Sequence, residues 1–97
     1  MKEIIEKVIG YNTPEKNILK VVEETTELNE VLIKFLTKKP DARPKVDKII
    51  EEMGDTIFRM KVLATMMGIN EQVEQRVNNK AKQLDEYINN QMYKGGV

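Results

Sequence analysis

Apolar residues recur at three- and four-residue spacing through three long stretches of this chain, and carboxylates interrupt two of them. The first stretch carries Ile18, Val21, Val22, Leu28, Val31, Leu32 and Phe35. The second carries Val46, Ile49, Ile50, Met53, Ile57, Met60, Leu63, Ala64 and Met67, and the third Val73, Val77, Ala81, Leu84 and Ile88. Such spacing puts an apolar stripe along one side of an α-helix, and stripes in a chain of 97 residues have to be buried against one another. Glu23-Glu24-Thr25-Thr26-Glu27 lies inside the first stretch and Glu52-Met53-Gly54-Asp55 inside the second. Each motif sets carboxylates one turn apart, on a shared helix face. Two like charges ~4 Å apart repel by about 4 kcal/mol at an effective dielectric of 20. A divalent cation held between them removes that repulsion, so the first reading is a metal site between two helices. A Glu-Glu pair on a helix is ordinarily a solvated face, and periodicity alone leaves both readings open.

Punctuation residues divide the chain. Residues 1–12 form a short amphipathic helix (Ile4, Ile5, Val8, Ile9) ending near Gly10. Thr13-Pro14-Glu15 is a helix start, with Thr13 as N-cap and Pro14 at the first helical position. That helix should stop before Pro40, and Lys38 to Arg43 is a basic connector. Pro44 can open the next helix and Gly68 close it. Asn70 is placed to cap the last helix, and the tail 94–97 is expected to fray. No strand pattern or internal repeat is visible. The expectation is a single all-α domain over residues 1–97, an antiparallel four-helix-type bundle.

Composition narrows the chemistry. The 16 basic and 16 acidic residues cancel, so nothing argues for binding nucleic acid or an anionic membrane surface. No apolar run approaches the ~18 residues of a membrane span, and the N-terminus is unlike a signal peptide. The lack of cysteine removes disulfide and thiolate chemistry and suits a reducing cytoplasm. The lack of histidine removes the usual zinc sites and any imidazole base. A metal here has to be held by oxygen, which points to Mg²⁺, Mn²⁺ or Ca²⁺. A core this small would be extended by dimerisation.

Helical geometry sorts the carboxylates. Around Val21, Leu28 and Leu32 as the centre of the first stripe, Glu24 lies roughly 70° away, Glu27 further round and Glu23 outermost. In the second helix the main stripe runs through Met53, Ile57, Met60 and Ala64, and the line Met53, Met60, Met67 reads as core. A second apolar strip, Phe58 and Val62, lies on the far side beside Glu51 and Asp55. A helix apolar on two sides has neighbours on both, one of them expected from another subunit. Gly54 costs about 1 kcal/mol against Ala in mid-helix, which makes sense where something approaches the backbone closely.

E-E-x-x-E over Glu23–Glu27 followed by E-x-x-D over Glu52–Asp55, with Leu28 directly after the first motif and Gly54 inside the second, resembles the signature of the MazG-like all-α nucleoside triphosphate pyrophosphohydrolases. That superfamily also holds the dimeric dUTPases and the phosphoribosyl-ATP pyrophosphohydrolases. The resemblance spans roughly Pro14 to Tyr93. It implies hydrolysis of a nucleoside triphosphate between the α and β phosphates, giving the monophosphate and pyrophosphate. It further implies that Glu24, Glu27, Glu52 and Asp55 bind Mg²⁺ (or Mn²⁺), with Glu23 assisting from outside the ligand set. Either Glu24 or Glu27 would take the proton of the attacking water. There is no Walker-type glycine loop.

On the last helix Arg76, Lys80, Gln83 and Tyr87 share one face flanking its stripe, and are the candidate substrate-binding residues. Gln83 stands where a second basic residue is expected. Lys34 and Arg59 lie within a turn or two of the motifs, and Tyr11 and Asn17 are candidates for a base pocket, Tyr11 also being a packing residue ahead of the helix. The expected assembly is a homodimer or higher homo-oligomer. Two rival readings stand beside the hydrolase: a non-catalytic helical interaction module, in which the acids make salt bridges, and a superfamily relative acting on phosphoribosyl-ATP or a nucleoside diphosphate.

Overall fold

The computed structural model describes residues 1–95 and contains four α-helices: α1 (Lys2–Tyr11), α2 (Pro14–Thr37), α3 (Val46–Met67) and α4 (Asn70–Gly95), with a 3₁₀ turn at Pro40–Ala42. Local chemistry sets their ends. The Thr13 hydroxyl accepts from the Lys16 N–H at 3.2 Å, and Pro14 occupies the first turn of α2. α2 ends ahead of Pro40, and Arg43 ties the connector down, its Nε donating to the Lys38 carbonyl at 3.1 Å while its guanidinium lies 5.3 Å from the Phe35 ring centre. Gly68 adopts φ 68°, and its N–H and that of Ile69 close α3 on the Thr65 and Ala64 carbonyls at 3.1 and 2.9 Å.

α1 ends at Tyr11, next to Gly10 as expected. Two other boundaries differ from expectation. Pro44 does not open α3, because Lys45 is extended and serves as N-cap. Asn70 begins α4 itself, and its side-chain amide donates to Thr65 Oγ1 at 3.1 Å. Of the tail expected to fray, residues 96 and 97 lie outside the described residues.

The main packing is an antiparallel hairpin of α2 on α3, since Asn17 meets Met66 at one end and Glu24 meets Thr56 further along. The inward row of α2 is Asn17, Val21, Glu24, Leu28, Val31 and Phe35, all buried or half-buried. The facing row of α3 is Ile49, Glu52, Thr56, Arg59, Leu63 and Met66. Both rows alternate steps of three and four, the seam of a coiled-coil-like pair. α1 also packs on α3, where Ile5 and Val62 are buried.

This arrangement overturns one reading of α3. Met53, Met60 and Met67 are 47%, 48% and 58% exposed, whereas Val62 of the supposed secondary strip is 1% exposed. α2 covers the Glu52–Thr56–Leu63 side and α1 the Val62 side, so the methionine line is left facing outward. Nor does α4 close a bundle within the chain. Residues 70–92 are all exposed, Val73, Val77, Leu84 and Ile88 included, and α4 touches α3 alone among the helices with substantial contact. Its narrow stripe sits among polar residues, and two sides of α3 are already occupied. The radius of gyration is 17.8 Å, against about 13 Å for a compact chain of this length.

Val62 is the packing residue whose truncation should tell most. Val62→Ala is expected to lower unfolding stability by about 2 kcal/mol through lost burial and a residual cavity. A chemical denaturation midpoint unchanged from wild type would show that α1 and α3 do not pack as described.

Candidate metal centre

The α2–α3 seam carries a polar layer in its middle. Glu24 and Glu52 occupy seam positions that a coiled-coil-like pair ordinarily fills with apolar side chains. Thr56 closes the layer: its hydroxyl donates to the Glu52 carbonyl at 2.7 Å and lies 3.2 Å from the Glu24 carbonyl on the other helix. The threonines inside the first motif turn their hydroxyls to the carbonyls one turn back, Thr25 to Val21 at 2.8 Å and Thr26 to Val22 at 2.7 Å. They therefore leave the carboxylates as the groups presented to the neighbouring helix.

Glu24, Glu52 and Asp55 converge, each offering a carboxylate oxygen within 4.8 Å of the others. Glu52 is only 4% exposed. Its Oε1 accepts from Lys48 Nζ at 3.1 Å, while its Oε2 is buried without a partner. Glu24 Oε2 is buried without a partner too. A buried acceptor left unpaired costs about 1–3 kcal/mol, more when charged, and calls for a specific explanation. Oxygen donors at the end of short, helix-anchored side chains, two of them with lone pairs unused, fit a hard divalent cation such as Mg²⁺ or Mn²⁺.

Glu27, one turn beyond Glu24, is exposed and stands outside the three-carboxylate convergence. The negative charges of Glu24 and then Glu52 raise its carboxyl above its ordinary value. Glu23 points away, as its angle on the helix predicts, and pairs with Lys20 at 3.2 Å. Lys48 also binds Glu51 at 2.7 Å, which holds the Glu51 carboxyl below its ordinary value and raises the Lys48 ammonium. Lys48 and Thr56 are site residues that the motifs alone do not announce. Both stand four positions from Glu52, so the spacing that pairs helix neighbours was the available signal.

The α4 candidates are not gathered with these acids. Arg76 and Lys80 line a shallow surface groove with Val73 and Val77, and Gln83 and Tyr87 are exposed further along. Lys34 pairs with Glu30 at 3.2 Å on the outer face of α2. Asn17 is buried at the end of the seam, accepting from Asn12 Nδ2 at 3.1 Å. Tyr11 is 90% exposed and so is no packing residue.

The fold and site define a class: all-α proteins in which carboxylates of two packed helices meet, here with buried, unpartnered oxygens on Glu24 and Glu52. Comparison with protein families gives the particular one. The model of the MazG nucleotide pyrophosphohydrolase domain matches residues 12–88, from the loop before α2 to well into α4, and the chain belongs to that family. No curated protein and no solved structure matches it. Among the described residues no helix is long and apolar enough to cross a membrane.

The charge crowding on Glu27 makes a pH prediction. A carboxyl raised in the folded state binds protons more tightly there than in the unfolded chain, so its contribution to stability is lost as pH rises through the folded value. Glu27→Gln removes that repulsion. In metal-free buffer its melting temperature should exceed wild type at pH 7, and the gap should close toward pH 4. A gap that is constant with pH, or of opposite sign, would mean that Glu27 does not feel Glu24 and Glu52.

Proposed function

We propose that this chain is a Mg²⁺-dependent pyrophosphohydrolase that cleaves a nucleoside or deoxynucleoside triphosphate between its α and β phosphates, releasing the monophosphate and pyrophosphate. The observation that carries this reading is the meeting of Glu24, Glu52 and Asp55 around buried, partnerless oxygens, inside the region that matches a nucleotide pyrophosphohydrolase family. Glu24, Glu52 and Asp55 would hold the cation. When bound, such an ion neutralises polyphosphate charge, lowers the pKa of a coordinated water and orients the reacting groups.

The chain's own residues divide the remaining work. Helix-borne carboxylates keep their geometry better than loop-borne ones, and Thr56 locks the two helices in register beside them. Lys48 fixes Glu52 through one oxygen and leaves the other free to ligate. Glu27, accessible and one turn from Glu24, is placed to accept the proton of the attacking water as oxygen adds to phosphorus and the bond to the departing pyrophosphate breaks. Glu23 stays outside, held by Lys20.

The working form is proposed to be a homodimer or higher homo-oligomer. The support is the apolar surface left open: Met53, Ile57 and Met60 on α3, Leu36 on α2, and the whole stripe of α4. Large apolar side chains left open on three helices offer a surface that a partner would cover. A second copy covering them would bring another α4, with Arg76, Lys80, Gln83 and Tyr87, into range of neighbouring groups. Sedimentation velocity at micromolar concentration should give a dimer or larger species, and a stable monomer of 11.3 kDa would contradict it.

Activity is tested by pyrophosphate release from a panel of ribo- and deoxynucleoside triphosphates, with phosphoribosyl-ATP and nucleoside diphosphates included. Turnover should require Mg²⁺ or Mn²⁺, and Asp55→Asn should lower it by about 10²-fold or more. Turnover on phosphoribosyl-ATP or a diphosphate alone would move the chain to that branch of the superfamily. No turnover, together with no Mg²⁺-induced rise in melting temperature, would favour the interaction module.

A further inference from the structure

One helical turn from the carboxylates, α1, α2 and α3 surround an open cleft of about 730 Å³. Its walls include four cations, Lys7, Lys16, Lys20 and Arg59, and no acidic residue. In a chain whose 16 basic and 16 acidic residues cancel, that is a local separation of charge. Its floor is apolar, with Ile4 and Val8, and Tyr11 stands at its edge with the ring almost fully exposed.

The cleft continues the metal centre. Lys16, Lys20 and Glu24 succeed one another at four-residue steps on α2, and Arg59 follows Asp55 by four on α3. Lys20 and Arg59 line the same cleft, so they face it from the two helices that also bring the acids together. At 1.5 Å per residue, Lys16 to Glu24 spans about 12 Å along α2. The order along this trough is therefore a flat aromatic ring, a pair of cations and, one helical turn beyond the lining of the cleft, the cluster of carboxylates. Arg59 is half-buried in the α2–α3 seam and lines the cleft, with its guanidinium 5.9 Å from the Phe58 ring centre. Lys20 holds Glu23 at 3.2 Å in a solvent-accessible pair of the kind that exchanges partners at little cost.

We propose that Lys20 and Arg59 form a phosphate clamp on the α2–α3 hairpin itself, and that the nucleoside end of the substrate runs up the cleft onto Ile4, Val8 and Tyr11. The identity of the ligand rests on the pyrophosphohydrolase reading. The sequence of chemistries along the trough then fixes its direction: polyphosphate toward Glu24 and Asp55, ring toward α1. A guanidinium and an ammonium facing one cleft suit a polyanion, since charge-assisted bonds to phosphate oxygens are the stronger kind.

The test uses inorganic tripolyphosphate, which carries no base, titrated calorimetrically without divalent cation onto wild type, Lys20→Gln, Arg59→Gln, their combination, and Arg59→Lys. All should keep the wild-type helical circular dichroism. Each Gln variant is expected to weaken binding about tenfold, with Arg59→Lys recovering part of the loss and a Lys39→Gln control unchanged. A double variant that binds as wild type does would overturn the clamp. In a second arm, backbone amide shifts are followed with α,β-imido analogues of dATP and dUTP. At least one analogue should move Ile4, Val8 and Tyr11, which tripolyphosphate leaves in place. Movement of the same residues by both kinds of ligand would overturn the placement of the nucleoside. The two failures separate cleanly: if the hydrolase reading fails alone, tripolyphosphate binding and its loss in the variants persist. If the clamp fails alone, Mg²⁺-dependent turnover in the double variant keeps the wild-type KM.

Discussion

The α2–α3 seam forces carboxylates of like charge into the place where a helical hairpin ordinarily buries leucines, and the rest of the structure follows from how that conflict is managed. Val21, Leu28 and Val31 on one helix and Ile49 and Leu63 on the other supply the apolar drive that closes the hairpin. Closing it carries Glu24 and Glu52 inward with them. Lys48 relieves part of the repulsion through one oxygen of Glu52, and Thr56 satisfies carbonyls at the same level. Two carboxylate oxygens remain buried and unpaired. A hairpin selected for stability alone would carry apolar residues there. The cost is intelligible if the folded state waits for a cation, whose binding then adds to stability as well as chemistry.

The same economy of helices explains what one chain leaves undone. α3 is served by α2 on one side and α1 on another, and its methionine line has no neighbour within the chain. α4 extends away with its stripe uncovered. Three packed helices enclose little, which is why, among the described residues, Val62 alone of the larger apolar side chains is fully buried. The carboxylate cluster and the cationic cleft, by contrast, draw their residues from α1, α2 and α3.

Helix starts and stops were legible where the signal is local. Thr13-Pro14 and Gly68 act through a cap hydroxyl and a left-handed φ, chemistry that tertiary packing seldom overrides. Spacing put carboxylates on two apolar helices, and the ligand set Glu24, Glu27, Glu52 and Asp55 came from the family resemblance; the structure brings Glu24, Glu52 and Asp55 together and leaves Glu27 outside that group. Which side of α3 turns inward was not legible. Its apolar residues occupy both sides, and the larger stripe, Met53 to Met67, lost to the narrower Val62 strip because α1 and α2 together compete for the space around α3. The α4 candidates Arg76, Lys80, Gln83 and Tyr87 were chosen by their common face, and a shared face says nothing about which helix it meets. Of the cations in the cleft, Arg59 stood out by its closeness to the second motif, whereas Lys7, Lys16 and Lys20 did not, because only the packing of α1, α2 and α3 brings them together.

The buried polar layer of the hairpin is proposed as a cation site. Mn²⁺ binding, followed by the loss of the free-ion paramagnetic resonance signal in metal-free protein, tests it most directly. Wild type should bind saturably, and Glu52→Gln, folded by circular dichroism, should lose that binding, since Glu52 offers the most deeply buried unpaired oxygen. Equal binding by the two proteins would place the ion elsewhere and reduce Glu24, Glu52 and Asp55 to a strained feature of the seam.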